Sequence, residues 1–230
     1  MIVASHQPDF MPWMGYFYKI FQSDTFVFSD NVLYSKTARH NYNDILTGNG
    51  VQRFTLPIHY EMGNVGDIKI AASERDINRM LKTIVQAYGK AACFEEVYPD
   101  IERLMHEAPG NKLGLFNWMC IMHFCDKFGL VSSRRFYMSS NLPLKERRDA
   151  RIIEICKLFR ADAYLSGTGA SDYHVEKDYQ ENGIRLLYSD YQPLRYPQVK
   201  GREAINLSVI DYIMNCGYVL PKEWKKYELD

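Results

Sequence analysis

An α/β fold, built on a parallel sheet with crossover helices, is what this sequence predicts, and three observations predict it. Short β-branched or aromatic runs alternate with helical stretches near both ends of the chain. A middle stretch at about 74–130 carries apolar residues at helical spacing and is read as mainly helical. Polar, compact turns follow the apolar runs, as they follow strands in such folds. No internal repeat, low-complexity tract or Ser/Pro linker interrupts the chain, so residues 1–230 are expected to form a single domain.

Taken in order, residues 1–4 are an apolar run that stops at Ser5-His6-Gln7-Pro8, and Tyr16, Phe17, Ile20 and Phe21 then recur at helical spacing over 15–21. Residues 25–28, β-branched and aromatic, predict the next strand of a βαβ unit, and 52–58 predict a third strand that Pro57 closes. Over 74–88, Ile77, Met80, Leu81, Ile84 and Tyr88 make an apolar stripe with Ser73 placed to cap it. The pattern repeats at 94–105 and 112–128, on either side of Ala108-Pro109-Gly110, with Gly129 as the stop. The last third alternates again. Strands are expected at 135–138, 163–165 and 184–188, and helices at 145–159, 175–181 and 206–216, the last closed by Gly217.

With 47% hydrophobic and 24% charged residues, the chain has the composition of a soluble globular protein. Its 28 basic and 28 acidic residues cancel, so a nucleic-acid partner is not expected and any anion contact has to be a local patch. Cys93, Cys120, Cys125, Cys156 and Cys216 never adopt a CxxC spacing and read as reduced core thiols of a cytoplasmic protein. No apolar run approaches the roughly 18 residues of a membrane span, and no basic leader precedes Gln7-Pro8, so neither export nor membrane insertion is expected. The absence of HxxxH, HExxH and Cys/His clusters argues against a metal held by the protein alone. No Gly-x-Ser-x-Gly elbow appears, which counts against an α/β-hydrolase.

In an open parallel sheet, ligands bind beyond the carboxyl ends of the strands, so the residues after each predicted strand are the candidates. The first strand is followed by His6 and Gln7 in a loop stiffened by Pro8 and Pro12; a His there serves as a general base or as a donor to phosphate. The second is followed by Asp30 and Asn31, which open a polar stretch with Ser35, Lys36, Arg39, Asn41 and Asn43. That stretch reads equally as a substrate-binding loop and as a solvated excursion. After 163–165 come Ser166, Gly167 and Gly169, then Asp172 and Tyr173. Two glycines there let backbone N–H groups face an anion, although the same residues also make an ordinary βα turn.

These residues, in this order, resemble a known family. His6-Gln7-Pro8, Pro12-Trp13-x-Gly15-Tyr16-Phe17-x-Lys19-Ile20, Asp24, Val27-Phe28, Asp30, Ser35-Lys36 and Asn41-x-Asn43-x-Ile45 are similar to the opening of the WbqC-like family. The far end agrees at Tyr164-Leu165-Ser166-Gly167, Gly169, Asp172-Tyr173, Gly183-Ile184, Tyr196, Gln198 and Leu207-Ser208-x-Ile210-Asp211. Thr37, Arg39, His40 and Tyr42 depart from the pattern, so part of the loop's charge has moved. The layout of a His-containing, Pro-rich loop after the first strand also resembles nucleotidylyltransferases and class I aminoacyl-tRNA synthetases, without their HxGH or HIGH motif; it implies a Rossmann-like sheet.

The resemblance implies a transferase of bacterial surface-polysaccharide (O-antigen) biosynthesis, moving an acyl or aminoacyl (glycyl) group to an amino sugar carried on a nucleotide or lipid. On that reading the partner is a phosphorylated or sugar small molecule, with catalytic His6 and Asp30. Lys36, Arg39 and the Ser166–Gly167–Gly169 turn would contact phosphate jointly, and Mg²⁺ would arrive only with a phosphate-bearing substrate. A nucleotidyl or adenylyl transferase on the same scaffold and a non-catalytic sugar-binding or scaffold protein are the alternatives. The sequence assigns no oligomeric state.

Overall fold

Alternation of side chains along short strands decides how this chain layers. In a computed structural model, which describes residues 1–167, 169, 174–199 and 203–229, β1 (Ile2–His6) lies between β2 (Thr25–Phe28) and a later strand, β8 (Ala163–Ser166). Ile2, Ala4, Phe26, Phe28 and Leu165 bury into the larger core, and Val3, Val27 and Tyr164 into a smaller one on the other face. The strands therefore read as continuous apolar runs, as expected of a sheet covered on both sides.

Between β2 and β8 the chain leaves the sheet. A hairpin, β3 (Tyr42–Thr47) and β4 (Gly50–Thr55), and a short antiparallel pair, β5 (Ile58–His59) and β6 (Lys69–Ile70), come first. The helical middle follows: α2 (Glu74–Tyr88), α3 (Phe94–His106) and α4 (Leu113–Lys127), after α1 (Met14–Gln22) between the first two strands. Helix α2 starts as its sequence requires. Ser73 and Asp76 form a reciprocal capping box, the Ser73 N–H donating to Asp76 at 3.0 Å, and Ile77, Met80, Leu81, Ile84 and Tyr88 are buried. Gly129 ends the middle at φ +69°, where a Cβ would be strained.

The chain then returns through β7 (Arg135–Met138), α5 (Arg148–Phe159), β8, α6 (Glu176–Glu181), β9 (Arg185–Tyr188) and α7 (Val209–Cys216). Five strands form one parallel sheet in the order β7-β2-β1-β8-β9. Counted in order of appearance within the sheet this is 3-2-1-4-5, the order of a Rossmann-like fold, and helices flank both faces. The order reverses between β1 and β8.

Three expectations change. The strand expected at 52–58 is two pieces, β4 and β5, and neither joins the parallel sheet: β4 pairs antiparallel with β3 across the two-residue turn Gly48-Asn49. The polar stretch expected to run as a loop to Asn43 enters β3 at Tyr42. Helices expected from 145 and 206 begin at Arg148 and Val209, the second capped by Ser208, whose hydroxyl accepts from the Ile210 N–H.

Candidate functional site

A cavity of about 500 Å³ opens where the strand order reverses, at the carboxyl ends of β1 and β8. Strand β1 delivers Ser5, His6 and Gln7 to its wall, and β8 delivers Ser166, followed by Gly167 and Gly169. Trp13, Gly15 and Tyr16 bring in the first turn of α1, and Arg148 and Arg151 the first turn of α5, so two helix N-termini face the same space. Gly15 fits because it lacks a side chain: a Cβ there would sit 2.6 Å from the Trp13 indole.

The walls are positive. Lys19, Arg148 and Arg151 line the cavity, and no Asp or Glu does so among the described residues. Lys19 is 6% exposed, donates to the Ser5 carbonyl at 2.9 Å, and has its ammonium lowered from the usual 10.5 to about 8 by burial. Arg151 donates to the neutral side chain of Asn31, and its Nε is buried with no partner among the described residues. Arg148 holds φ +52°, an uncommon backbone for a residue with a Cβ. Three cations without a wall carboxylate suit an anionic ligand.

One hydrogen-bonded chain crosses the β8 side. Ser166 Oγ lies 2.8 Å from His174 Nε2, and His174 Nδ1 lies 2.7 Å from Asp149 Oδ1. Asp149 also accepts from the Val175 N–H at 2.9 Å and from the Tyr179 hydroxyl at 3.2 Å. Burial pushes the Asp149 carboxyl up, but these donors outweigh it and hold the group below the ordinary carboxylate value. On the β1 side, His6 Nδ1 lies 3.1 Å from the Gln7 carbonyl and 3.6 Å from Asp9 Oδ2, and its ring packs edge-on against Tyr16. Burial lowers the His6 pKa, Asp9 opposing and Lys19 reinforcing it, so the imidazole is neutral at pH 7.

The structure brings His6, Gln7, Ser166, Gly167 and Gly169 to one cavity. Asp172 and Tyr173 lie outside the described residues. After β2, Ser29 and Val32 line the cavity, but the polar candidates of that stretch go elsewhere. Asp30 is buried with Ser139 Oγ at 3.0 Å and the Ser140 N–H at 2.9 Å, joining the ends of β2 and β7; it does not line the cavity. Asn31 stays outside too but holds Arg151. Lys36 sits over the Tyr60 ring at 4.1 Å, Ser35 bonds Thr37, and Arg39 pairs with Asp44 at 2.9 Å. Asn41 donates to the Leu56 carbonyl and Asn43 to the Met11 carbonyl, both at 2.9 Å. Asn41 and Asn43 satisfy buried carbonyls, Arg39 a neighbouring carboxylate, and Lys36 and Ser35 engage Tyr60 and Thr37; Lys36 and Arg39 do not line the cavity that holds the Ser166 turn, and its cations are Lys19, Arg148 and Arg151 instead. With Asp30 so engaged, the cavity offers a phosphate-bound Mg²⁺ no carboxylate among the described residues, a poor fit for that ion.

Lys19, Arg148, Arg151, Asp149 and His174 escaped the site reading of the sequence. Lys19 had a visible signal, a lysine set inside the apolar stripe of Tyr16, Phe17 and Ile20. Asp149 had none, because an acid in the first turn of a helix is commonplace. Among the described residues no group of three or more His, Cys, Asp or Glu is placed to hold a metal, the five cysteines are free, and no helix is long and apolar enough to cross a membrane.

A Rossmann-like sheet thus carries a cationic cavity at its switch point, the place where open α/β sheets bind their ligands. The chain belongs to the WbqC-like protein family, whose model matches residues 7–222. It is 30% identical over 224 residues to an uncharacterized protein of Mycobacterium tuberculosis, Rv1507c, with 95% of each chain covered. No solved structure matches it.

Proposed function

We propose that this protein is a transferase that joins an acyl or aminoacyl group to an amino sugar carried on a nucleotide or lipid phosphate, in the building of bacterial surface polysaccharide. The polysaccharide setting comes from the family resemblance. The observation that carries the reading is the cationic cavity, in which Lys19, Arg148 and Arg151 meet at the carboxyl ends of β1 and β8 with no wall carboxylate among the described residues. Such a wall recognises a phosphate-bearing ligand, and its volume suits a nucleotide sugar better than a polymer. His6, neutral at pH 7 and on the strand next to that of Ser166, takes the extra proton from the ammonium of the acceptor before it reacts.

Calorimetric titration with UDP-glucosamine and UDP tests the reading. Wild-type protein should bind both, and Arg151→Ala should weaken each by at least tenfold, the scale of one charge-assisted contact. Arg39→Ala, outside the cavity, should bind as wild type does. Equal affinities for wild type and Arg151→Ala would refute it.

A further inference from the structure

We infer that Ser166 is a nucleophile that carries the transferred acyl group as an ester, with His174 as its base and Asp149 as the residue that positions His174. The inference deepens the transferase reading above and takes its acceptor from it.

The geometry is that of an activated hydroxyl. An isolated serine is a weak nucleophile; it becomes a useful one when a base lies within hydrogen-bond reach and a third group orients that base. Ser166 Oγ to His174 Nε2 is 2.8 Å and His174 Nδ1 to Asp149 Oδ1 is 2.7 Å. The carboxylate at Nδ1 fixes the proton on that nitrogen, which leaves the Nε2 lone pair directed at Oγ. Tyr179, with its hydroxyl 3.2 Å from Asp149 and 3.1 Å from His174 Nδ1, and the Val175 N–H stop Asp149 from turning away. Ser166 and His174 both face the cavity, and Asp149 stays behind them. A clasp that only tied β8 to α5 would have no need to lie in the lining of the space where Lys19, Arg148 and Arg151 gather. Those cations are also suited to the negative charge of a tetrahedral intermediate.

The donor class is an acyl thioester. In the first half-reaction, Oγ bonds to the acyl carbon while the Ser166 proton passes to His174 Nε2. The carbon–sulfur bond then breaks, and the leaving thiolate takes that proton and departs as a thiol. In the second, the neutral amine of the acceptor bonds to the acyl carbon and gives up a proton to His174 Nε2. The carbon–Oγ bond breaks, and Oγ recovers the proton. The amide leaves and the serine is restored, with no oxidant or reductant required.

Purified full-length protein is incubated with a fluorophosphonate probe and, separately, with p-nitrophenyl acetate, and intact mass and peptide mapping locate the adduct. One phosphonyl group on Ser166 is expected, with a burst of nitrophenolate equal to the enzyme concentration. His174→Gln should slow both by 10²-fold or more, the usual scale for a lost general base. Ser166→Cys, which keeps the shape of the site, should be acylated by a thioester at the new thiol, so the inference stays testable even where Ser166→Ala misfolds. Labelling elsewhere, or rates unchanged in His174→Gln with native thermal melts, would overturn it. Titration with UDP-glucosamine separates the two readings: an unlabelled protein that binds it loses the nucleophile alone, and a labelled protein that binds none loses the phosphate ligand alone.

Discussion

Replacing Lys19 with Met should stabilise the fold while weakening the anion site. The ammonium is buried, its recorded hydrogen bond goes to a neutral carbonyl, and its pKa falls from 10.5 to about 8. A depression of that size corresponds to a cost of about 3 kcal/mol for keeping the charge in the folded state at neutral pH. Methionine matches the length and removes the charge, but the bond to Ser5 is lost, which takes back about 1–3 kcal/mol. The net gain is then about 0–2 kcal/mol, or up to roughly 6 °C in melting temperature for a chain of this size. The sign with pH is the sharper signature. Below pH 8 the lysine is charged in both folded and unfolded states and the cost is complete. Between about 8 and 10.5 the folded state gives up its proton first, so the cost shrinks, and above 10.5 it is gone. Denaturant unfolding of wild type and Lys19→Met from pH 7 to 10.5 should therefore show wild type gaining on the variant by about 3 kcal/mol. Affinity for UDP-glucosamine should fall in wild type over the same range and be low throughout in the variant. A stability difference that stays constant across that range would refute the reasoning.

Two further outcomes follow from packing and from buried hydrogen bonding. Gly15→Ala should push the Trp13 indole off the start of α1, because the new Cβ would lie 2.6–2.8 Å from its ring carbons. Tryptophan emission should shift and UDP-glucosamine affinity should drop, and an unchanged spectrum would refute the contact. Tyr88→Phe removes the 2.7 Å donor to Asp211, a carboxylate whose pKa burial has already raised, and should cost about 1.5–3 kcal/mol. Since protonation of Asp211 relieves its need for donors, the loss should be larger at pH 7 than at pH 4, as read by urea midpoints; ligand binding should not change.

The strands and helices that the sequence announced are those whose causes are local. Ser73 and Asp76 cap α2 with groups three residues apart, and Phe26, Val27 and Phe28 need only be apolar for the sheet to bury them. Strand β3 was missed because Tyr42, Asn43 and Asp44 are polar toward the chain's own neighbours. Asn43 turns inward to carbonyls at Phe10 and Met11, a reason invisible without the fold, although Gly48-Asn49 marked the hairpin. The site divides in the same way. His6 and Ser166 were legible as residues at strand ends, where the fold puts ligands. His174 and Asp149 acquire their meaning only from each other across 25 positions, and Asp30 proved to be bound to Ser139 and Ser140 across more than a hundred.

The pairing of β1 with β8 sets a timetable. Ile2 lies opposite Ala163 and Ala4 opposite Leu165, so the two walls of the cavity come from residues about 160 positions apart. During synthesis His6, Lys19 and the apolar edge of β1 must wait until β8 has been made, and that wait exposes a strand edge able to pair with the wrong partner. The hairpin and the helical middle, whose contacts are closer in sequence, are free to form during the delay. The same long-range closure that places two half-sites side by side makes the cavity one of the last features to exist, and a chain that stops short of β8 has half of its walls.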